Sequence, residues 1–214
     1  VTAKGKGAGF LAEPQKLDQF LDQIFSKLDM KISIKTRIGT HYEEDWEYLL
    51  AIYEKYPIHE LIIHPRIQTD MYRGVPRLGA YEKAVNRLKM PLCYNGNLFS
   101  AADYKRITER FPDTCCFMYG RGLITNPGLV TEIREGIRPD KKTVREFHDC
   151  LFEEYRELLS GERNVLFRMK ELWSYMAVNF TNYEKYAKKI KKSQHLSEYS
   201  SVVSSLFAEQ DLID

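Results

Sequence analysis

Apolar residues along this chain change period in a regular way. From Pro14, PQKLDQFLDQIFSKL places Leu17, Phe20, Leu21, Ile24, Phe25 and Leu28 on one helical stripe, with Pro14 in the first turn. KISIKTRIG follows as a short β-branched run ended by Gly39. EEDWEYLLAIYEKY then predicts an amphipathic helix closed by Pro57, and HELIIHPR a second strand. A loop broken by glycine and proline leads to a helix around AYEKAVNRL. MPLCYNGN reads as a third strand. Ser100 caps the helix SAADYKRITER, with Asp103 three residues on in a capping-box pattern, and DTCCFMYGRG is the fourth strand. Strands that alternate with helices predict a parallel sheet with right-handed crossovers, open or closed into a barrel.

Past Arg138 the alternation stops. KKTVREFHDCLFEEYRELL, ERNVLFRMKELWSYMAV, NYEKYAKKIKK and LSEYSSVVSSLF all carry a helical period, and Pro139 marks the change. The pattern predicts an α/β part over 1–138 and a small all-α bundle over 139–214. No internal repeat or low-complexity stretch occurs.

Composition narrows the class. The chain has 214 residues, 43% of them hydrophobic and 29% charged, with a formal net charge of +2. A disordered chain would need fewer apolar residues and more net charge. No apolar run of about 18 residues exists to span a membrane. Near-neutrality gives no global steering toward nucleic acid, so an RNA partner must be met by a local patch. The run Lys185, Lys188, Lys189, Lys191 and Lys192, with Tyr183 and Tyr186 interleaved, is one such patch; a solvated helix face is the other reading. The opening VTAKGKGAGF lacks the apolar core of a signal peptide. Cys93, Cys115, Cys116 and Cys150 form no CxxC pair and are too sparse for a disulfide scaffold, which points to the reducing cytoplasm. Cys115 and Cys116, inside TCCFMYG, read as buried thiols packing as small hydrophobes. His59-Glu60 with His64 is one residue too long for a zinc HExxH motif, so no metal is expected.

Candidate chemistry gathers at the C-terminal ends of the strands. Lys35 and Arg37 end the first, His64 and Arg66 the second, Asn95-Gly96-Asn97 the third, and Gly120-Arg121-Gly122 the fourth. Parallel α/β folds carry their sites on that rim. Glycine loops that lead into helices suit a phosphate, and a lysine and a histidine facing them suit a phosphorylated cofactor. Each residue also has a plainer reading: Lys35 as an edge-strand charge, His64 as a structural histidine, Asn95-Gly96 as a turn, Gly120-Arg121 as a helix entry. Their recurrence at successive strand ends favours a site.

These motifs resemble those of the tRNA-dihydrouridine synthase family. The matching segments are GKGAGFLAEP, ISIKTRIG, LIIHPR, MPLCYNGNLFSAADY and CFMYGRGLITNPGLVTEI, in the family's order and at compatible spacing over 1–133. The later RMKELW is similar to the family's C-terminal tRNA-binding domain. The resemblance implies an FMN-binding (β/α)8 TIM barrel followed by a helical domain. It implies a flavoprotein oxidoreductase that reduces the C5–C6 bond of selected tRNA uridines, with FMN recharged by NADPH. On that basis 1–138 carries barrel strands five to eight and 139–214 the helical tRNA-binding domain. By residue match, Lys35 contacts the flavin and His64 lies beside the isoalloxazine and ribityl region. Asn95, Gly96 and Asn97 match the phosphate-side loop after the seventh strand, and Gly120 and Arg121 the loop after the eighth. Arg66 and the loop Gln68 to Arg73 lie near the substrate base or tRNA, and Lys170, Lys185, Lys188 and Lys189 face the tRNA.

The chain departs from the family at Pro65, usually a small residue, and at Asn97, often aspartate or glycine. The resemblance assigns no catalytic residue here. The family's proton donor is a cysteine in an Asn-x-Gly-Cys-Pro motif that falls before Val1, and none of the four cysteines matches it. Half a barrel exposes sheet edges and apolar interior, so self-association and weak FMN binding are expected. Two other readings stay open: another FMN-dependent barrel oxidoreductase acting on a small molecule, and a non-catalytic RNA-binding or assembly remnant of the fold.

Overall fold

The computed structural model describes residues 5–213, so the VTAK that opens the chain lies outside the described residues. Strands β1 (Ser33–Arg37), β2 (Glu60–His64), β3 (Leu92–Tyr94) and β4 (Cys116–Phe117) form one parallel sheet in the order β1-β2-β3-β4. Helices α1 (Pro14–Lys27), α2 (Asp45–Tyr53), α3 (Leu78–Arg87) and α4 (Ala101–Arg110) alternate with them. Parallel neighbours cannot be joined by a tight hairpin, so each connection is spent on a helix. A 3-10 turn over Gly7–Ala12 precedes α1 and was not signalled by periodicity. Ser100 caps α4 as its sequence predicts: its Oγ accepts the Asp103 amide at 3.1 Å, and the Asp103 carboxylate accepts the Phe99 amide at 3.1 Å.

The chain divides into two compact units. One holds the residues up to Leu98 together with Lys105–Tyr119; the other holds Phe99–Tyr104 and the residues from Gly120 onward. The second unit contains α5 (Arg121–Thr125), α6 (Leu129–Glu135), α7 (Lys141–Leu158), α8 (Glu162–Met176), α9 (Tyr183–Lys192) and α10 (Leu196–Glu209). Helices α5 and α6 precede Pro139 yet group with the helices that follow. Tertiary contacts hold them there: a Cβ at Gly128 would stand 2.9 Å from the Pro139 ring, and Asn179 donates to the Thr125 carbonyl.

In the first unit, strand alternation sends Leu61, Ile63 and Tyr94 into a core with Trp46, Leu49, Leu50 and Tyr53 of α2 and Tyr81 and Ala84 of α3. Polar groups inside that core are paired. Trp46 Nε1 donates to the Ala80 carbonyl at 2.8 Å, and the Thr36 and Tyr53 hydroxyls meet at 2.8 Å. The α1 stripe is only partly covered, with Leu17 and Leu21 buried and Phe20 and Leu28 about half exposed. The thiols depart from expectation. Cys115 is exposed and Cys116 half-buried, because β4 is a two-residue edge strand, while Cys93 on the inner β3 is buried. A hydrogen bond to Glu60 pushes the Cys116 thiol up to about 12. Among the described residues, no helix is long and apolar enough to cross a membrane.

The second unit packs Val165, Met169, Trp173 and Met176 of α8 against Phe180, Tyr186, Ile190, Tyr199, Leu206 and Phe207. A polar chain runs through it. Trp173 Nε1 donates to the Tyr199 hydroxyl at 2.6 Å, and that hydroxyl lies 2.6 Å from His148 Nε2. An indole N–H can only donate, so Tyr199 passes its own proton toward Nε2, and His148 keeps its proton on Nδ1, 2.7 Å from the Asp149 carboxylate. Arg145 holds Asp149 from the other side at 2.7 Å.

Burial lowers the His148 pKa from its ordinary value, against the opposing pull of Asp149. A base whose folded pKa is lowered binds protons more readily when unfolded, so stability falls as pH drops through the histidine range. Chemical denaturation at about pH 7.5 and about pH 5.5, either side of the ordinary value of about 6.5, is expected to show a lower midpoint at the acid end. The drop shrinks in His148→Gln.

Candidate functional site

Register places the strand-end residues of the first unit. Lys35, Ile62 and Cys93 stand in one row across the sheet, with Arg37 and His64 paired further along. Because side chains alternate, Lys35, Arg37, Ile62 and His64 share the face opposite the Trp46 core. That face is partly wet: Lys35 is exposed, Arg37 and Ile62 are half-buried, and His64 is buried. Partial burial, then the charge of Arg37, lowers the Lys35 pKa. A cavity of about 620 Å³ opens beside β1, lined by Lys35, Arg37, Phe10, Phe20 and the glycines Gly5 and Gly7.

Arg66 is fully buried at the end of β2. A desolvated guanidinium must find acceptors for its fork of donors. Its Nε donates to the Arg73 carbonyl at 3.2 Å, Nη2 donates to the Gly74 carbonyl, and both Nη atoms lie 3.2 Å from Asn97 Oδ1. Nη1 also lies 3.1 Å from His64 Nε2. Arginine cannot accept, so Nε2 does, and the His64 ring proton is on Nδ1. Arg66 is therefore an internal strut, and its contacts are with the loop that follows β2.

Arg37 grips the same loop from β1. Its Nη1 and Nη2 donate to the carbonyls of Ile67 at 2.8 Å and Met71 at 2.9 Å, and its guanidinium carbon lies 5.8 Å from the Tyr72 ring centroid. The His64 and Tyr72 rings are 6.2 Å apart. Asp70 pairs with Arg77, which also reaches Glu43 at 3.0 Å. The Arg77 hydrogen bond, opposed by some burial, holds the Asp70 carboxyl below its ordinary range. Met71 takes a positive φ of 54°, and the tip that follows exposes Tyr72, Arg73 and Val75. The resemblance places Arg66 and the loop Gln68 to Arg73 near the substrate; the hold of Arg37 on that loop and its approach to Tyr72 come from the structure alone.

The third strand ends in a shaped turn. Asn95 Nδ2 donates to the Met118 carbonyl at 2.7 Å and so ties β3 to the residue after β4. Gly96 lies under Pro76, whose Cγ would stand 3.1 Å from a Cβ there. Asn97 takes a positive φ of 44° while its side-chain oxygen serves Arg66. Lys35, His64, Asn95, Gly96 and Asn97 thus lie together in the first unit.

Gly120 and Arg121 belong to the second unit. Gly120 is the residue before α5, and Arg121 lies 5.3 Å from the Phe99 ring centroid. On α9, Lys185, Lys188, Lys189 and Lys192 recur at helical spacing on the exposed side. The interleaved tyrosines turn inward instead. Tyr186 is buried with its hydroxyl donated to Glu209, and Tyr183 packs against the core. Lys170 on α8 donates to the Ser193 carbonyl.

A family model described as "Dihydrouridine synthase (Dus)" matches residues 1–210. The chain is similar to tRNA-dihydrouridine synthase B of Pasteurella multocida, 26% identical over 143 residues, which is 65% of this chain and 42% of the relative. It is similar to a probable tRNA-dihydrouridine synthase 1 of Synechocystis, 25% identical over 226 residues, 100% of this chain and 59% of the relative. A tRNA-dihydrouridine(16) synthase of Shewanella oneidensis is 29% identical over 152 residues, 68% of this chain and 46% of the relative. The matches thus span between 42% and 59% of these relatives' own length.

Arg66→Met removes the strut and strands the acceptors around it. It is expected to cost about 2 kcal/mol or more in denaturant unfolding. Trypsin is expected to cut after Arg73 faster than in the wild type at a denaturant concentration where both remain folded.

Proposed function

The chain belongs to the dihydrouridine synthase family, and on that premise we propose that it serves the reduction of selected tRNA uridines to 5,6-dihydrouridine, with FMN as the bound redox group and NADPH as reductant. The observation that carries this reading is the line of Lys35, Arg37 and His64 on the half-open face of the sheet. The strand order supports a barrel origin for that sheet. Each strand lies beside its predecessor with no reversal, as in half of a (β/α)8 barrel; a doubly wound sheet reverses at a switch point. Association between copies through the half-open face belongs to the same proposal, as does a place in the cytoplasm.

The residues of the first unit fit a flavin. Lys35 is a partly desolvated cation beside a second cation, Arg37, so an electron-rich ring edge there relieves both the lost solvation and the like charge. When bound and reduced by NADPH, FMN would supply a hydride to the uridine C5–C6 bond, with the second hydrogen arriving as a proton from a general acid. Lys35 stabilises negative charge at the edge it faces. His64 is held by Arg66 in one tautomer, with its proton on Nδ1, so its donor has a set position. Asn95, Gly96 and Asn97 shape the turn beside it, and Arg66 acts by fixing His64, Asn97 and the loop. Tyr72 and Arg73, at the tip of that loop, are the groups presented to the uridine. The tRNA itself is held by the helices from α7 onward, through Lys185, Lys188 and Lys189, with Lys170 anchored at the Ser193 carbonyl.

In cells lacking the gene for this chain, tRNA is expected to lose dihydrouridine at one or more positions, read by mass spectrometry as a difference of two hydrogens. The wild-type gene restores it. Lys35→Ala restores it about a hundredfold more slowly, the scale of losing one preorganised charge-stabilising group, and Lys35→Arg recovers part of the rate. Deletion without any loss of dihydrouridine rules the reading out. Binding of unmodified tRNA by the purified chain is expected to weaken steeply with salt, and Lys188→Gln with Lys189→Gln to lower the log–log slope by about two.

A further inference from the structure

Helix α8 carries an aromatic side chain that its own packing does not use. Val165, Leu166, Met169, Trp173 and Met176 form the buried stripe of this helix. Phe167 falls off that stripe and is 68% exposed. It lines a cleft of about 570 Å³ together with Arg163, Asn164, Lys170, Gln194 and His195. That volume lies within the range of small-ligand sites. The lining joins the flat Phe167 face and two leucines to two cations, an imidazole, two side-chain amides and one carboxylate, Glu162.

The wall across from Phe167 is anchored. Ser193 is fully buried, its carbonyl accepts Lys170 Nζ, and its amide bonds back to the carbonyls of Lys189 and Ile190. Two carboxylates border the cleft. The Glu198 carboxylate accepts the Gln194 backbone N–H at 2.8 Å, and Glu162, the first residue of α8, is part of the lining. Lys191 and Lys192 lie in the last turn of α9, just before Ser193 and Gln194 in the chain.

We propose that this cleft takes one unpaired nucleotide of an RNA strand. The Phe167 ring stacks on the base, Arg163 and Lys170 meet the adjoining phosphate, and the side-chain oxygens of Asn164 and Gln194, whose nitrogens donate to the Ser160 and Lys192 carbonyls, face the base edge. Arg163 and Lys170 outweigh the one lining carboxylate, Glu162, and suit a phosphate, and the exposed ring selects a planar group beside that charge. An acidic peptide would satisfy the cations and leave the ring idle. The nucleotide is unpaired because bases inside a duplex already have both faces stacked. The inference rests on the tRNA reading for its partner and adds a contact that does not depend on charge.

The test uses the full chain with two fluorescent probes, an unmodified tRNA transcript and a fully paired RNA duplex of similar length, over a range of salt. Phe167→Ala is expected to weaken tRNA binding by about five- to a hundredfold, the scale of one lost base–aromatic stack. Its salt slope stays that of the wild type, because no charge is removed. Phe167→Tyr keeps the affinity, and duplex binding does not change. If Phe167→Ala binds tRNA as tightly as the wild type while the Lys188→Gln and Lys189→Gln variant binds less, the cleft is idle and the tRNA reading survives. Equal weakening toward tRNA and duplex overturns the unpaired-nucleotide contact. A wild-type chain that binds neither probe sinks this inference and the tRNA reading together.

Discussion

A guanidinium buried at the end of a strand organises the rim of the sheet. Arg66 has no access to solvent, so its donors must be met from within. The acceptors come from three separate places in the chain: the imidazole of β2, the side-chain oxygen of Asn97 after β3, and two carbonyls of the loop at Arg73 and Gly74. Satisfying one charge therefore locks two strand ends and a loop to each other. Arg37 adds a second hold on the loop from β1. The positive φ values of Met71 and Asn97 fall in these tethered turns, where surrounding bonds can sustain a conformation that such residues rarely adopt.

The two units solve different problems. The first places a few groups accurately, so it spends its arginines on internal bonds and leaves Lys35 on the open face. On the proposed reading the second holds a long polyanion, for which accuracy matters less than charge. Its α9 accordingly turns Tyr186 and Ile190 into the core and leaves a lysine face in water. The aromatic core beneath buries His148, whose tautomer is fixed by Tyr199 on one side and Asp149 on the other. Phe167 breaks the division of α8 into an apolar stripe and a charged back.

Much of this was legible in the residue order. Pro14 starts α1, Ser100 and Asp103 cap α4, and the helices from Lys141 to Glu209 follow their apolar period closely. The thiols of Cys115 and Cys116 were not. TCCFMYG reads as a buried strand, yet only two of its residues pair, at the edge of the sheet. Edge position depends on how many strands lie beyond, which no local pattern states. The grouping of α5 and α6 with the later helices was equally hidden, since it turns on the approach of Gly128 to Pro139.

By itself the sequence determined the four strands, the helices α1 to α4 alternating with them and α7 to α10 after them, the parallel sheet, and the gathering of Lys35, His64 and Asn95 to Asn97 at strand ends. Those follow from periodicity and chain direction, which are local. Only the tertiary structure decided which charge is a strut and which faces outward. Lys35, Arg37 and Arg66 are alike in the sequence as cations near strand ends. Burial and the reach of carbonyls brought in from distant loops separate them, because a charge inside the fold must spend its donors on the protein, and a charge at its surface keeps them for something else.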